Sequence, residues 1–149
     1  MPSTIQLHRV LTAPPERVYR AFIDPDAMVK WYPPNGFTCR VHHIDVRVGG
    51  SYKMSFTNFS TTSSQSFSGH YLEIKPNELL KYKDKFDDPK MPGEMLVTIS
   101  FRKLFCGTEL KITQEGIPDA IPPELCYLGW QQTLNLLAQV VEPEIPDGN

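Results

Sequence analysis

From Phe37 to Gly116 the chain keeps to one pattern: short runs of alternating apolar and polar residues, separated by turn signals. "FTCRVHHIDVRV", "SYKMSF", "FSGHYLEI", "LLKYKDKF", "EMLVTISFRKL" and "GTELKITQEG" each read as a strand, because a period of two puts alternate side chains on one face. In "LLKYKDKF" that face carries Leu80, Tyr82 and Phe86. Gly49–Gly50, "KPNE" and Cys106–Gly107 mark tight turns, while "TNFSTTSSQS" and "DDPKMPG" are longer loops. After "IPDAIPP" the period changes to 3.6. Tyr127, Trp130, Leu134, Leu137 and Val141 then fall on one helical face, with Gln132, Asn135 and Gln139 on the other. Pro123 and Glu124 suit the first turn of this helix, and Pro143 stops it near Val141. A curved antiparallel sheet wrapped around one long helix is the natural way to bury such a stripe. It also leaves room for a hollow between the two.

The N-terminal part adds one strand and two short helices. "STIQLHRVL" is rich in β-formers. In "APPERVYRAFI", Pro14 and Pro15 suit a helix start, Glu16 its first turn, and Val18, Tyr19 and Phe22 one buried face. Asp24 is placed to N-cap a second helix, with Pro25 at its first position and Asp26 near the positive end of its dipole. Pro33 is expected to push Tyr32 out of the α region, ending that helix near Trp31. The order is strand, two short helices, six strands and a long helix. That is an α+β chain in one domain, residues 1–149, with no internal repeat or linker and a tail, 143–149, expected to fray.

Composition narrows the function. A net charge of -2 and no basic stripe argue against nucleic-acid binding. No run of about 18 apolar residues exists, so no membrane insertion is expected. "MPSTIQLHRV" lacks the pattern of a secretory leader. Cys39, Cys106 and Cys126 are few and far apart, which suggests reduced thiols in a cytoplasmic setting.

Sites with specific chemistry are thin. His42 and His43 are adjacent on a strand, so strict alternation points them to opposite faces. His43 and Asp45 share a face but are only two ligands, and no metal site is expected. Asp45 is expected to pair near Arg47 or the glycine turn. His70, Tyr71 and Glu73 are the candidates for acid–base work, with His70 and Leu72 on one face and Tyr71 and Glu73 on the other. "VGGSY" lacks the lysine and the strand–loop–helix context of a phosphate loop, and no cofactor motif is found.

Taken in order, "APPERVYRAFIDPDAMVKWYPPNGF", "IDVRVGGSY", "GHYLEIKPNELLKY", "GTELKI" and "GWQQTLNLLAQVVE" resemble the AHSA domain family, named for the activator of heat-shock protein 90 ATPase homologue. That family lies in the START/Bet v 1-like (SRPBCC) superfamily. The resemblance runs from Ile5 to Glu142. It departs where relatives often carry glycine after an aromatic pair, since here Pro33 follows Trp31–Tyr32. It implies a helix-grip (Bet v 1-like) fold, with a seven-stranded curved antiparallel sheet around the C-terminal helix. It also implies a cavity of the kind that holds apolar ligands in many superfamily members. The superfamily includes lipid carriers, hormone receptors, cyclases and co-chaperone domains with roles in stress response, so the fold leaves the activity open.

With that topology, the aromatics and methionines become a candidate pocket. Trp31, Phe37, Tyr52, Met54, Phe56, Tyr71, Phe86, Trp130 and Leu134 are expected at its wall or rim. Gly129 strengthens the expectation, because glycine inside a helix costs about 1 kcal/mol against alanine and is kept for close packing or for space. Hairpins alternate ends. Both long loops, Pro122–Glu124 and Trp31–Pro34 therefore converge at one end, where a mouth is expected with Trp31 as wall or lid. Three readings follow: binding of an apolar or lipid-like small molecule without covalent chemistry, interaction with the heat-shock chaperone, or cyclase- or hydrolase-like catalysis. Exposed edge strands leave monomer and homodimer both open.

Overall fold

The computed structural model describes residues 2–148. Its elements are β1 (Ser3–Leu11), α1 (Pro15–Ile23), α2 (Pro25–Trp31), β2 (Phe37–Ile44), β3 (Ser51–Asn58), β4 (Ser64–Lys75), β5 (Leu79–Phe86), β6 (Met95–Leu104), β7 (Gly107–Ile117) and α3 (Pro123–Val141). The strands form one antiparallel sheet in the order β1-β7-β6-β5-β4-β3-β2, so β2 to β7 are a simple meander and β1 closes on β7. The sheet curves over α3 and forms the helix-grip arrangement. No helix among the described residues is long and apolar enough to cross a membrane.

The caps behave as their residues dictate. The Asp24 carboxylate accepts the amide of Asp26 at 2.9 Å, and Pro25 occupies the first turn of α2. Tyr32 departs from expectation. It stays in the α region (φ -68, ψ -41), and its amide donates to the Met28 carbonyl at 2.9 Å. The clash with Pro33 that disfavours this conformation is outweighed by packing: the Tyr32 ring stacks on Phe67 and meets Trp31 and Phe56 edge-on. The helix still stops, because Pro33 has no amide to continue it.

Besides a register shift where β1 meets β7, between Ser3 and Ile5, two β-bulges within the meander break strict alternation. One lies in β2 between Val41 and His43, the other in β4 between Tyr71 and Glu73. Each inserts one residue and shifts the faces beyond it. Consequently His42 and His43 both reach the outer face, bonding Ser55 at 2.9 Å and Ser51 at 3.1 Å. Glu73 no longer shares a face with Tyr71. It sits opposite Lys81 and pairs with Lys75, while Tyr71 is 3% exposed in the core. Asp45 accepts from Arg47 Nε at 2.7 Å.

Helix α3 is tied down unevenly. Near its end, Arg17 donates to the Val141 carbonyl at 2.9 Å and Arg9 to Asn135 at 2.6 Å. The Thr12 amide donates to Glu142 at 2.9 Å. Arg17 thus satisfies a carbonyl that the helix leaves unpaired. The tail beyond has no regular structure, although Glu144 pairs with Arg17, and Asn149 lies outside the described residues. The first half of α3 is looser, with Leu125 and Leu128 each 59% exposed. Tyr127, expected in the buried stripe, is also exposed. The buried residues of the helix are Thr133, Leu134, Leu137, Ala138 and Val141.

Candidate functional site: an apolar hollow under the first half of the long helix

A hollow of about 480 Å³ lies between the sheet and the first half of α3. That volume is within the usual range of about 300–1,000 Å³ for small-molecule pockets. Cys126, Gly129, Trp130 and Thr133 form its helical wall at i, i+3, i+4 and i+7, one continuous face. The sheet supplies Phe56, Gln65, Phe67, Asp84, Phe86, Met95 and Gln114. Tyr32, Pro34, Phe37, Asn58 and Ser63 complete the end where both long loops and the start of α3 meet. The strand-end parity read from the hairpins therefore matches the topology, and the hollow lies at that end.

Four of the nine expected residues line the hollow: Phe37, Phe56, Phe86 and Trp130. The other five do not. Trp31 is fully buried, its ring centroid 4.7 Å from that of Phe22, and its indole N–H donates to the Ala21 carbonyl at 2.8 Å. Ala21 lies in the last turn of α1, where carbonyls lack helical partners. Trp31 is thus a core plug that finishes α1 rather than a lid. Its neighbour Tyr32 takes the place on the wall. Tyr52, Met54 and Tyr71 surround a separate void of about 10 Å³, too small for a ligand. Leu134 is buried one turn beyond the hollow, in the closed core.

Gly129 has nothing within 4 Å of the position its Cβ would take. The glycine is therefore not there to let another backbone approach; it opens space beneath the helix. Beside it, Trp130 donates to Gln114 Oε1 at 2.9 Å, joining helix to sheet. Among the described residues, the Gln114 amide N–H meets only the Met95 sulfur, at 3.2 Å, which is a weak acceptor. Gln114 is 8% exposed.

Asp84 is the acidic residue in the wall. It continues the inward row Leu80, Tyr82, Asp84 and Phe86 along β5. The Tyr52 hydroxyl donates to its Oδ1 at 2.6 Å. Gly69 makes this reach possible. It lies between Tyr52 and Asp84 in the register, and a Cβ there would fall 2.6 Å from the Tyr52 oxygen and collide with the Lys83 carbonyl. Burial pushes the Asp84 carboxyl up to about 7. The Tyr52 hydrogen bond opposes that shift and the Asp87 charge adds to it. Burial also holds the Tyr32, Tyr52 and Tyr82 phenols well above their ordinary value, with Tyr32 and Tyr82 sharing a 3.1 Å hydrogen bond.

His70 and Glu73 lie outside and Tyr71 in the closed core, so none of the three acid–base candidates reaches the hollow. Asp84, Gln114, Tyr32, Phe67 and Met95 were missed. Asp84 and Gln114 could have been found from strand parity alone, because each sits on the inward row of its strand, among mostly apolar residues. Among the described residues, no three His, Cys, Asp or Glu side chains converge as metal ligands do.

A curved antiparallel sheet closed over a C-terminal helix, with a hollow between them, defines a helix-grip protein of the Bet v 1-like class. Within that class, this chain belongs to the Activator of Hsp90 ATPase homolog 1-like family, whose profile matches residues 12–142. Protein CV1439 from Chromobacterium violaceum is 60% identical, with a TM-score of 0.95 over 97% of this chain and 100% of that one. The AHSA1-like protein from Aeromonas hydrophila shares the fold at 19% identity and a TM-score of 0.80, covering 99% of this chain and 100% of that one. Protein NE0264 from Nitrosomonas europaea does so at 20% identity and a TM-score of 0.78, over 92% of each chain. No curated protein matches the chain.

Proposed function

We propose that this chain is a cytoplasmic protein that binds a small, largely apolar molecule in the hollow and performs no covalent chemistry on it. The observation that carries this reading is Gly129. A helix tolerates a residue costing about 1 kcal/mol, and no atom from outside the local helix turn comes within 4 Å to use the space gained. Phe56, Phe67, Phe86 and Trp130 give the site its apolar wall. Phe37, the ring at the rim, is 39% exposed, in keeping with an opening on that side. The test is a thermal-shift screen with aliphatic and aromatic compounds, run beside Gly129→Leu, whose side chain would occupy the hollow. Compounds that raise the melting temperature of the wild type but not of the variant support the reading. A flat screen removes it.

A second reading, docking to a chaperone, draws on the family description and on one feature of the surface. Leu125 and Leu128 stand a turn apart on α3, both largely exposed. Binding to the heat-shock protein 90 chaperone and stimulation of its ATPase test this reading. An unchanged ATPase rate together with no binding would remove it.

A further inference from the structure

We infer that the ligand of this hollow is a cationic amphiphile: an apolar body carrying one protonated amine, with the amine held by Asp84. The inference rests on the small-molecule reading above and names its ligand class. The residues that line the hollow include one carboxyl, Asp84, and no lysine, arginine or histidine. Among the described residues no basic side chain forms an ion pair with Asp84. Its side-chain partner is the Tyr52 hydroxyl, a neutral donor, on Oδ1. An uncompensated carboxylate beside an apolar space favours a ligand that brings its own positive charge and opposes one that brings a negative charge. The rings of Tyr32, Phe56, Phe67 and Phe86 lie in the same wall, and aromatic faces attract an ammonium group further.

The groups that face Asp84 bring no positive charge to it, its donors being the Tyr52 hydroxyl and the Lys85 backbone amide. Tyr52 comes from β3, Tyr32 from the end of α2, and Tyr82 from its own strand. Asp87, just beyond β5, adds more negative potential. Met95 and Gln114 from β6 and β7 are neutral, and α3 contributes the Cys126 thiol, which burial pushes up and so keeps uncharged. With burial holding Asp84 near the middle of the physiological range, an arriving cation would release its proton.

Three probes of equal chain length test the inference by calorimetric titration: decylamine, decanol and decanoate. At about pH 8.5 the amine is charged and Asp84 ionised, and decylamine should bind about tenfold or more tightly than decanol, with decanoate weakest. Asp84→Asn should abolish the preference for the amine while decanol still binds. At about pH 5 the advantage of the amine in the wild type should shrink. If decanol binds and decylamine is no tighter, this inference falls and the small-molecule reading stands. If none of the three binds, both fall. The wild-type comparison decides the matter even where the variant does not fold. A preference for amine that survives in a folded Asp84→Asn variant also overturns the assignment.

Discussion

Trp31 holds two helices together through one ring and one hydrogen bond. Trp31→Ala should cost about 3–5 kcal/mol in urea unfolding, from lost ring packing and an unpaired Ala21 carbonyl. Asp84 predicts a pH signature. Its folded carboxyl is raised to about 7, so between the ordinary carboxylate range and that value the unfolded chain releases the proton first. Stability should therefore fall as pH rises through that window and level off above it. Asp84→Asn lacks this titration. Its melting temperature, relative to the wild type, should be higher at pH 8 than at pH 4.5, and an unchanged difference would refute the shift. At this scale legibility was uneven. Asp84 was readable from strand parity but passes unnoticed in a search for apolar side chains alone. The burial of Trp31 was not readable, because it depends on where α1 places an unpaired carbonyl ten residues earlier.

Along α3 the sequence periodicity locates the element well, from Pro123 to Val141, but not which end is packed. A 3.6-residue stripe says which residues share a face and is silent on whether the sheet reaches that far beneath them. Here the fully buried positions begin at Thr133. Gly129→Ala should stabilise the protein by about 1 kcal/mol in urea unfolding, since the added methyl meets nothing within 4 Å. In β4 the opposite holds. Gly69→Ala should destabilise by about 1–3 kcal/mol, since its methyl collides with the Lys83 backbone and the Tyr52 hydroxyl. Urea titration of the two glycine variants together distinguishes a residue kept for space from one kept for close approach. The bulges in β2 and β4 were invisible beforehand, because an inserted residue carries no composition of its own. They explain why His42 and His43 both face outward and why Glu73 leaves the face of Tyr71.

Over the whole molecule, hairpin parity alone brought the two long loops, the α2–β2 connection and the start of α3 to one end, since connectivity determines which turns are neighbours. Parity could not say which aromatics fill the core and which border the hollow. That division follows sheet curvature, which closes tightly around Tyr52, Met54 and Tyr71 and stands away from the helix near Phe56 and Phe86. The same division separates the two tryptophans of the chain. Trp31 is sealed from solvent, while Trp130 borders the hollow with its indole N–H on Gln114. One fluorophore is therefore a constant background and the other an optical gauge of occupancy. Emission from a Trp31→Phe variant that remains folded should report filling of the hollow directly, without any added dye.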